Sequence, residues 1–138
     1  MFLVCVCCCV IARDAIIALG LVPADDVMIA GNRTQDWDGR PLILIETEPT
    51  RSENLTQFGP INAATLLAIH CIAMDRQKTW DIVRKAAHAV YAKFEDLEKE
   101  PKSGILCITL GEHNVFQVPD RPEFQASVSF NVLHQPTL

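Results

Sequence analysis

The side chains best suited to chemistry in this chain are six cysteines and four histidines. Four of the cysteines crowd into one stretch, at Cys5, Cys7, Cys8 and Cys9. Thiolates favour zinc or copper(I), but this stretch lacks Cys-x-x-Cys spacing and has no histidine nearby. We therefore predict no metal site and no cofactor, and we interpret these cysteines as small apolar residues of a buried first helix.

The remaining cysteines, Cys71 and Cys107, fall in predicted strands, where we expect them to be core thiols. Secreted disulfide scaffolds spread their cysteines along the chain to close loops, and this chain does not. The pattern indicates free thiols and a reducing compartment.

No residue pattern in the sequence indicates catalysis. The histidines are far apart in the sequence, at His70, His88, His113 and His134. Glu46 and Glu48 share a predicted strand face but no visible pocket. Phosphate-binding loops, dinucleotide fingerprints, nucleophile elbows and His-Glu-x-x-His are all absent from the sequence. We predict no catalytic residue and no enzyme, although His70, His134 and Glu46 converging in one pocket would favour the opposite.

The length of the chain indicates one domain over residues 1–138, whose net charge is acidic and whose α+β class follows from the order of elements given below. Its residues are 49% hydrophobic, as expected for a globular chain. Its net charge is −5, which does not indicate a nucleic-acid-binding surface. Residues 1–12 form an apolar, cysteine-rich run that is shorter than a membrane span and lacks a basic leader. We place this run in a first helix that ends at Gly20.

Heptad-like spacing predicts a long second helix from about Thr79 to Glu100, with Thr79 as the N-cap and Pro101 as the stop. Its apolar stripe consists of Trp80, Val83, Ala87, Val90, Phe94 and Leu97. Such a helix covers one face of a sheet.

Strands are predicted on both sides of that helix, at residues 42–48, 61–75, 105–110 and 124–132. A short strand at 27–29, a turn at 111–114 and a continuation of the sheet at 115–118 complete the pattern. In the last strand Phe124, Ala126, Val128, Phe130 and Val132 alternate with polar residues. The order predicts an α+β fold, with a mainly antiparallel sheet of about four strands and two helices on one face.

Five segments in this order resemble the tail terminator (tail completion) proteins of long-tailed bacteriophages and related head–tail joining proteins. They are Asp-Trp-Asp-Gly-Arg at 36–40, Pro-Leu-Ile-Leu-Ile-Glu-Thr-Glu at 41–48, a strand ending Cys-Ile-Ala-Met-Asp at 71–75, the helix segment Trp-Asp-Ile-Val-Arg-Lys-Ala-Ala-His-Ala-Val-Tyr at 80–91, and the alternating last strand. The resemblance runs from about residue 13 onward.

The resemblance implies a virion structural protein of the tail or neck, present in the host cytoplasm during assembly. It implies a homo-oligomeric, hexameric ring that caps the tail tube, contacts the tail tube protein and a neck or head connector, and surrounds DNA without binding it specifically. It implies no membrane partner. A neck or head-closure protein of similar fold is the first alternative. A small ligand-binding or enzymatic ferredoxin-like domain and a thiol-dependent metal binder are the others.

Two long polar loops, at 24–41 and 49–60, would suit contacts between subunits or rings in such an assembly. Loops of this length in so small a domain are usually functional. We predict that they carry the interfaces, through Asp36, Trp37, Arg51, Glu53, Asn54 and Gln57.

Overall fold

Two helices and six strands make up the part of the chain that the structure, a computed structural model, describes: residues 3–29, 37–49, 53–56, 59–100, 102–117 and 121–134. In chain order the elements are α1 (Leu3–Leu19), a 3-10 turn (Ala24–Asp26), β1 (Val27–Ile29), β2 (Leu42–Pro49), β3 (Glu53–Thr56), β4 (Gly59–Ala73), α2 (Arg76–Glu98), β5 (Ile105–Gln117) and β6 (Phe124–His134). The α+β prediction is confirmed.

The sheet is larger than predicted and mixed in direction. Its strand order is β1-β2-β4-β6-β5, and β3 pairs with β4 outside this row. All pairs are antiparallel except β1 with β2. The short strand suggested at 27–29 is present as β1, and the expectation of about four strands fell short chiefly because the four-residue β3 is too short to show a strand period in the sequence.

Both helices contribute to one hydrophobic core with alternate residues of β2, β4 and β6. Cys8, Ala12 and Ile16 of α1 are buried there, as are Val83 and Phe94 of α2. The predicted inward alternation of β6 is confirmed, since Ala126, Val128, Phe130 and Val132 are all in this core. Within the described residues, no helix is long and apolar enough to span a membrane.

Helix α2 begins one turn earlier than predicted, and its N-cap is Asp75 rather than Thr79. The Asp75 carboxylate accepts a hydrogen bond from the Lys78 backbone N–H at 2.7 Å. Thr79 is instead fully buried in the first turn, where its hydroxyl donates to the Asp75 carbonyl at 2.6 Å. Both residue types are good caps, and the end of β4 at Ala73 leaves Asp75 in the extended conformation that a cap requires.

The predicted turn at residues 111–114 is wrong, because β5 continues through it as a bulged strand. The register against β6 shifts by one residue between Ile105 and Cys107 and again between Leu110 and His113. At the second shift the Glu112 backbone N–H donates to the Ser129 hydroxyl at 2.9 Å. Pairing with a long neighbouring strand thus overrides a composition that is typical of turns.

The predicted loop at 49–60 contains part of a long hairpin. Strand β4 pairs with β2 from Thr65 to Ile72, and Asn62 and Pro60 then pair with Glu53 and Leu55 of β3. Strands β2 and β3 therefore pair with successive parts of β4, and β3 continues the line of β2. We call residues 53–56 and 59–62 the arm.

The sheet face without helices is apolar at one end and polar at the other. Leu42, Leu44 and Ile72 alternate with core residues and are still buried. Farther along, this face carries His70, Ser127 and other polar residues from neighbouring strands. The two faces therefore differ in chemistry, as expected for a sheet with helices on one side.

We predict that Gly111→Ala destabilises the fold by about 1–3 kcal/mol, as overpacking does. A Cβ atom at Gly111 would lie 2.7 Å from the Ser129 hydroxyl and 3.1 Å from the Ser129 carbonyl oxygen. Urea denaturation measures the loss in the wild-type and Ser129→Ala backgrounds. The penalty should be smaller when the hydroxyl is absent, and equal penalties in the two backgrounds would contradict this account of the bulge.

Candidate functional site

A polar cluster on the helix-free face is centred on His70 of β4. The backbone register places His70 opposite Ser127 of β6 on one side and opposite Leu44 of β2 on the other. The Ser127 hydroxyl lies 2.6 Å from Nδ1 of His70. Side chains of directly opposed residues on antiparallel strands lie this close because of the strand pairing itself.

Glu46 approaches the other nitrogen of the same imidazole. Its Oε1 atom lies 3.7 Å from Nε2 of His70, and its side chain is exposed. A carboxylate near Nε2 favours the tautomer with hydrogen on that nitrogen. Nδ1 then carries the lone pair, so the Ser127 hydroxyl donates to it.

Gln125 completes the cluster from the adjacent position on this face of β6. Its amide nitrogen lies 3.4 Å from both Nδ1 of His70 and the Ser127 hydroxyl oxygen. An amide that donates to the hydroxyl oxygen leaves the hydroxyl hydrogen directed at the imidazole. The contacts of Glu46, His70 and Gln125 thus all favour the orientation in which the Ser127 hydroxyl hydrogen points at Nδ1 of His70.

Burial lowers the pKa of His70 below its ordinary value, and the nearby Glu46 carboxylate opposes this only in part. Desolvation disfavours the charged form of a histidine. His70 is therefore neutral at pH 7 and able to accept a proton. Chemically, the arrangement is a hydroxyl held against a neutral base, which a carboxylate orients.

His134, which the sequence suggested as a companion of His70, lies on the opposite face of the sheet. Its Nε2 atom is 2.8 Å from the Thr65 hydroxyl, in the layer beneath the helices, and it is buried. His70 thus lies close to Glu46, but it does not lie close to His134. Ser127 and Gln125 had no local signal beyond the polar alternation of β6, because only strand pairing brings them to His70.

The predicted interface residues lie far apart or outside the described part of the chain. Asp36, Arg51 and Gln57 lie outside the described residues. Glu53 and Asn54 are in β3, in the arm. Trp37 precedes β2, whose eight residues separate it from the arm by about 25 Å. Among the described residues, Trp37 and the arm therefore lie at opposite ends of β2.

Trp37 belongs to a closed turn. Its indole N–H donates to the Arg40 carbonyl at 2.8 Å. The Arg40 guanidinium bonds the buried Asp26 carboxylate at 3.1 Å and Asp38 at 3.0 Å. The backbone N–H and the guanidinium of Arg40 both lower the pKa of Asp38. These bonds tie the turn to the start of β1.

The cysteines form no metal site in the described residues, where no group of three or more potential ligands comes together. Cys9, Cys71 and Cys107 are free thiols. Burial raises the pKa of Cys71 to about 12. Cys107 is only half-buried and is not part of the core, contrary to expectation, because the first bulge of β5 pairs it with Leu133 on the other face.

An apolar groove of about 420 Å³ opens on the helix side, between α2 and strands β5 and β6. Tyr91, Leu110 and Phe130 line it, and Arg84 and His88 also border it. Leu110 is 58% exposed, although its register partner Phe130 is in the core. The groove thus meets the outer edge of β5 at an exposed apolar residue.

We predict that the stability difference between wild type and His70→Gln shrinks on acidification from pH 7 to pH 5. In the unfolded chain His70 takes up a proton near pH 6.5, whereas in the folded protein it does so only at lower pH. The contribution of His70 to the free energy of unfolding is therefore complete above pH 6.5 and is lost as the pH falls below that value. Urea denaturation at several pH values measures the difference. A gap that widens on acidification would refute the lowered pKa.

We predict that Cys107 reacts with iodoacetamide faster than Cys71 in the folded protein. Cys71 is fully buried and has a raised pKa, which suppresses its thiolate. Peptide mass spectrometry after timed alkylation reads both sites. A denatured sample should remove the difference, and equal folded-state rates would contradict the placement of the two thiols.

Comparison with known proteins assigns no family to this geometry. No protein-family model matches the sequence, and no curated protein matches it. The function of the chain therefore has to be inferred from its own residues and surfaces.

Proposed function

We propose that the chain is a virion structural protein, a tail terminator that forms a hexameric ring. The ring caps the tail tube, joins it to the neck or head connector and surrounds the DNA channel. The resemblance of the ordered segments from residue 13 onward to tail terminators suggested this function. The arm, the unpaired edge of β5 and the net charge of the chain support it.

The observation that carries the proposal is the arm at the end of the sheet. Strand β4 pairs with β6 as far as Ala63, which lies opposite His134. Beyond that point the described residues of β4 pair only with β3. A two-stranded hairpin is marginally stable by itself in water, so an arm of this kind is suited to gain stability from a neighbouring molecule.

A second surface is the outer edge of β5, the last strand in the strand order. In the described residues β5 pairs with β6 alone, which leaves one edge of this 13-residue strand unpaired. Leu106 and Leu110 are exposed on β5, at 41% and 58%. Unpaired edges with apolar side chains are templates for association.

These two surfaces fit the symmetry of a ring. Head-to-tail rings need two different surfaces on each subunit, and the rotation between them closes the ring. The arm extends the β2 side of the sheet, and β5 forms the opposite edge. A subunit of this shape can receive one neighbour at each side.

The charge of the chain suits a channel that DNA must pass without being held. The net charge is −5, so the DNA backbone is repelled on average. A neck or head-closure ring would have the same property. Binding to purified tail tubes distinguishes the terminator from this alternative.

We predict that deleting Ser52–Gln57, which removes all of β3, abolishes ring assembly and docking to tail tubes. Light scattering across a concentration series, with and without tail tubes, measures both. The wild type should reach the mass of a hexamer, alone or on added tubes.

The control is a length-preserving variant, Glu53→Ala with Asn54→Ala, which separates side-chain contacts from the arm itself. The thermal midpoint of each variant shows whether the core of α1, α2 and the main sheet remains folded. A deletion variant that still assembles and docks would overturn the role of the arm. A wild type that stays monomeric at all concentrations and on tubes would overturn the ring.

A further inference from the structure

We propose that Ser127, His70 and Glu46 form an acyl-transfer site that hydrolyses small carboxylic esters. This activity goes beyond the structural role proposed above and does not depend on it. The site lies on the helix-free face of the sheet, whereas the arm and the β5 edge lie at its ends.

The nucleophile is the hydroxyl of Ser127. A serine hydroxyl is weakly nucleophilic unless an adjacent base takes its proton as the new bond forms. Nδ1 of His70 lies 2.6 Å away, within the range required of such a base. Ser127 is half-buried, so part of the residue meets solvent on this face of the sheet.

Glu46 acts as the positioning residue for the base. Its carboxylate lies 3.7 Å from Nε2 of His70. When Nδ1 takes the serine proton the imidazole becomes a cation, and a carboxylate at this distance stabilises it. The exposure of Glu46 makes this stabilisation modest, because solvent screens it.

Gln125 supplies a donor for the oxyanion. Its amide nitrogen is 3.4 Å from the Ser127 oxygen, so a carbonyl carbon bonded to that oxygen would place its own oxygen near the amide. Donors aimed at the developing charge are a large source of rate enhancement in acyl transfer. The site lies on a sheet face, which restricts it to small acyl groups whose leaving group stays in solvent.

The reaction proceeds in two balanced halves. The Ser127 oxygen bonds to the ester carbonyl carbon while its proton moves to His70, and the tetrahedral intermediate expels the alkoxide, which takes that proton and leaves as the alcohol. Water then adds to the acyl-serine and gives its proton to His70. The C–O bond to Ser127 breaks, the serine oxygen recovers the proton, and a carboxylic acid is released.

Another serine on the same strand provides a matched control. Ser129 lies on the same face of β6, two residues from Ser127, but the Glu112 backbone N–H donates to its oxygen at 2.9 Å. Its register partner on β4 is Ala68, where Ser127 has His70. Ser129 therefore lies on the same strand face as Ser127 but has no histidine opposite it to act as a base.

The test uses p-nitrophenyl acetate and a fluorophosphonate probe on the full chain. Wild-type protein should release nitrophenol with an acetyl group trapped on Ser127, located by peptide mass spectrometry. Ser127→Ala should lower the rate at least tenfold and His70→Gln about a hundredfold or to background, as loss of a general base does. Ser129→Ala should retain the wild-type rate.

Two results would overturn the site. One is fluorophosphonate labelling of wild-type Ser127 no faster than that of Ser129, which needs no variant and so does not depend on variant folding. The other is a folded Ser127→Ala protein, shown by an unchanged circular dichroism spectrum, that hydrolyses the ester at the wild-type rate. Neither outcome bears on ring assembly, which light scattering measures separately.

Discussion

The pairing of β4 with β6 is the constraint on which the rest of the structure depends. These strands run antiparallel from Ala63 opposite His134 to Ala73 opposite Phe124, without a register shift. Because side chains alternate, this one register decides which residues meet the helices and which meet the other face. A slip by one residue would put the core residues of one strand opposite the polar residues of the other, so that either Ile69 of β4 or Phe130 of β6 would leave the core.

The same register separates the polar residues into two environments. Thr65 and His134 meet beneath the helices, where both are buried. His70 and Ser127 meet on the other face, where Glu46 of β2 also reaches the imidazole. Burial of polar groups is tolerated where each finds a partner. One strand pair thus provides both a buried polar contact in the core and a hydrogen-bonded polar pair nearer the surface.

The ends of the sheet follow a different principle from its centre. The centre is held by a continuous core, whereas the described residues 59–62 pair with β3 alone and β5 pairs with a strand along one edge alone. The bulges of β5 bend an edge that would otherwise be a long, regular pairing template. Leu106 and Leu110 nevertheless remain exposed there.

The sequence by itself determined the helices, the main strands and the α+β class, because their signals are local. The period of α2 and the alternation of β6 are visible without any partner. Local signals failed where a neighbour decided the outcome. Residues 111–114 have the composition of a turn but pair with β6, and Thr79 looks like a cap but lies buried behind Asp75. Only the tertiary structure decided that His70 meets Ser127 and Glu46 rather than His134, since strand register is set by the burial of a whole face.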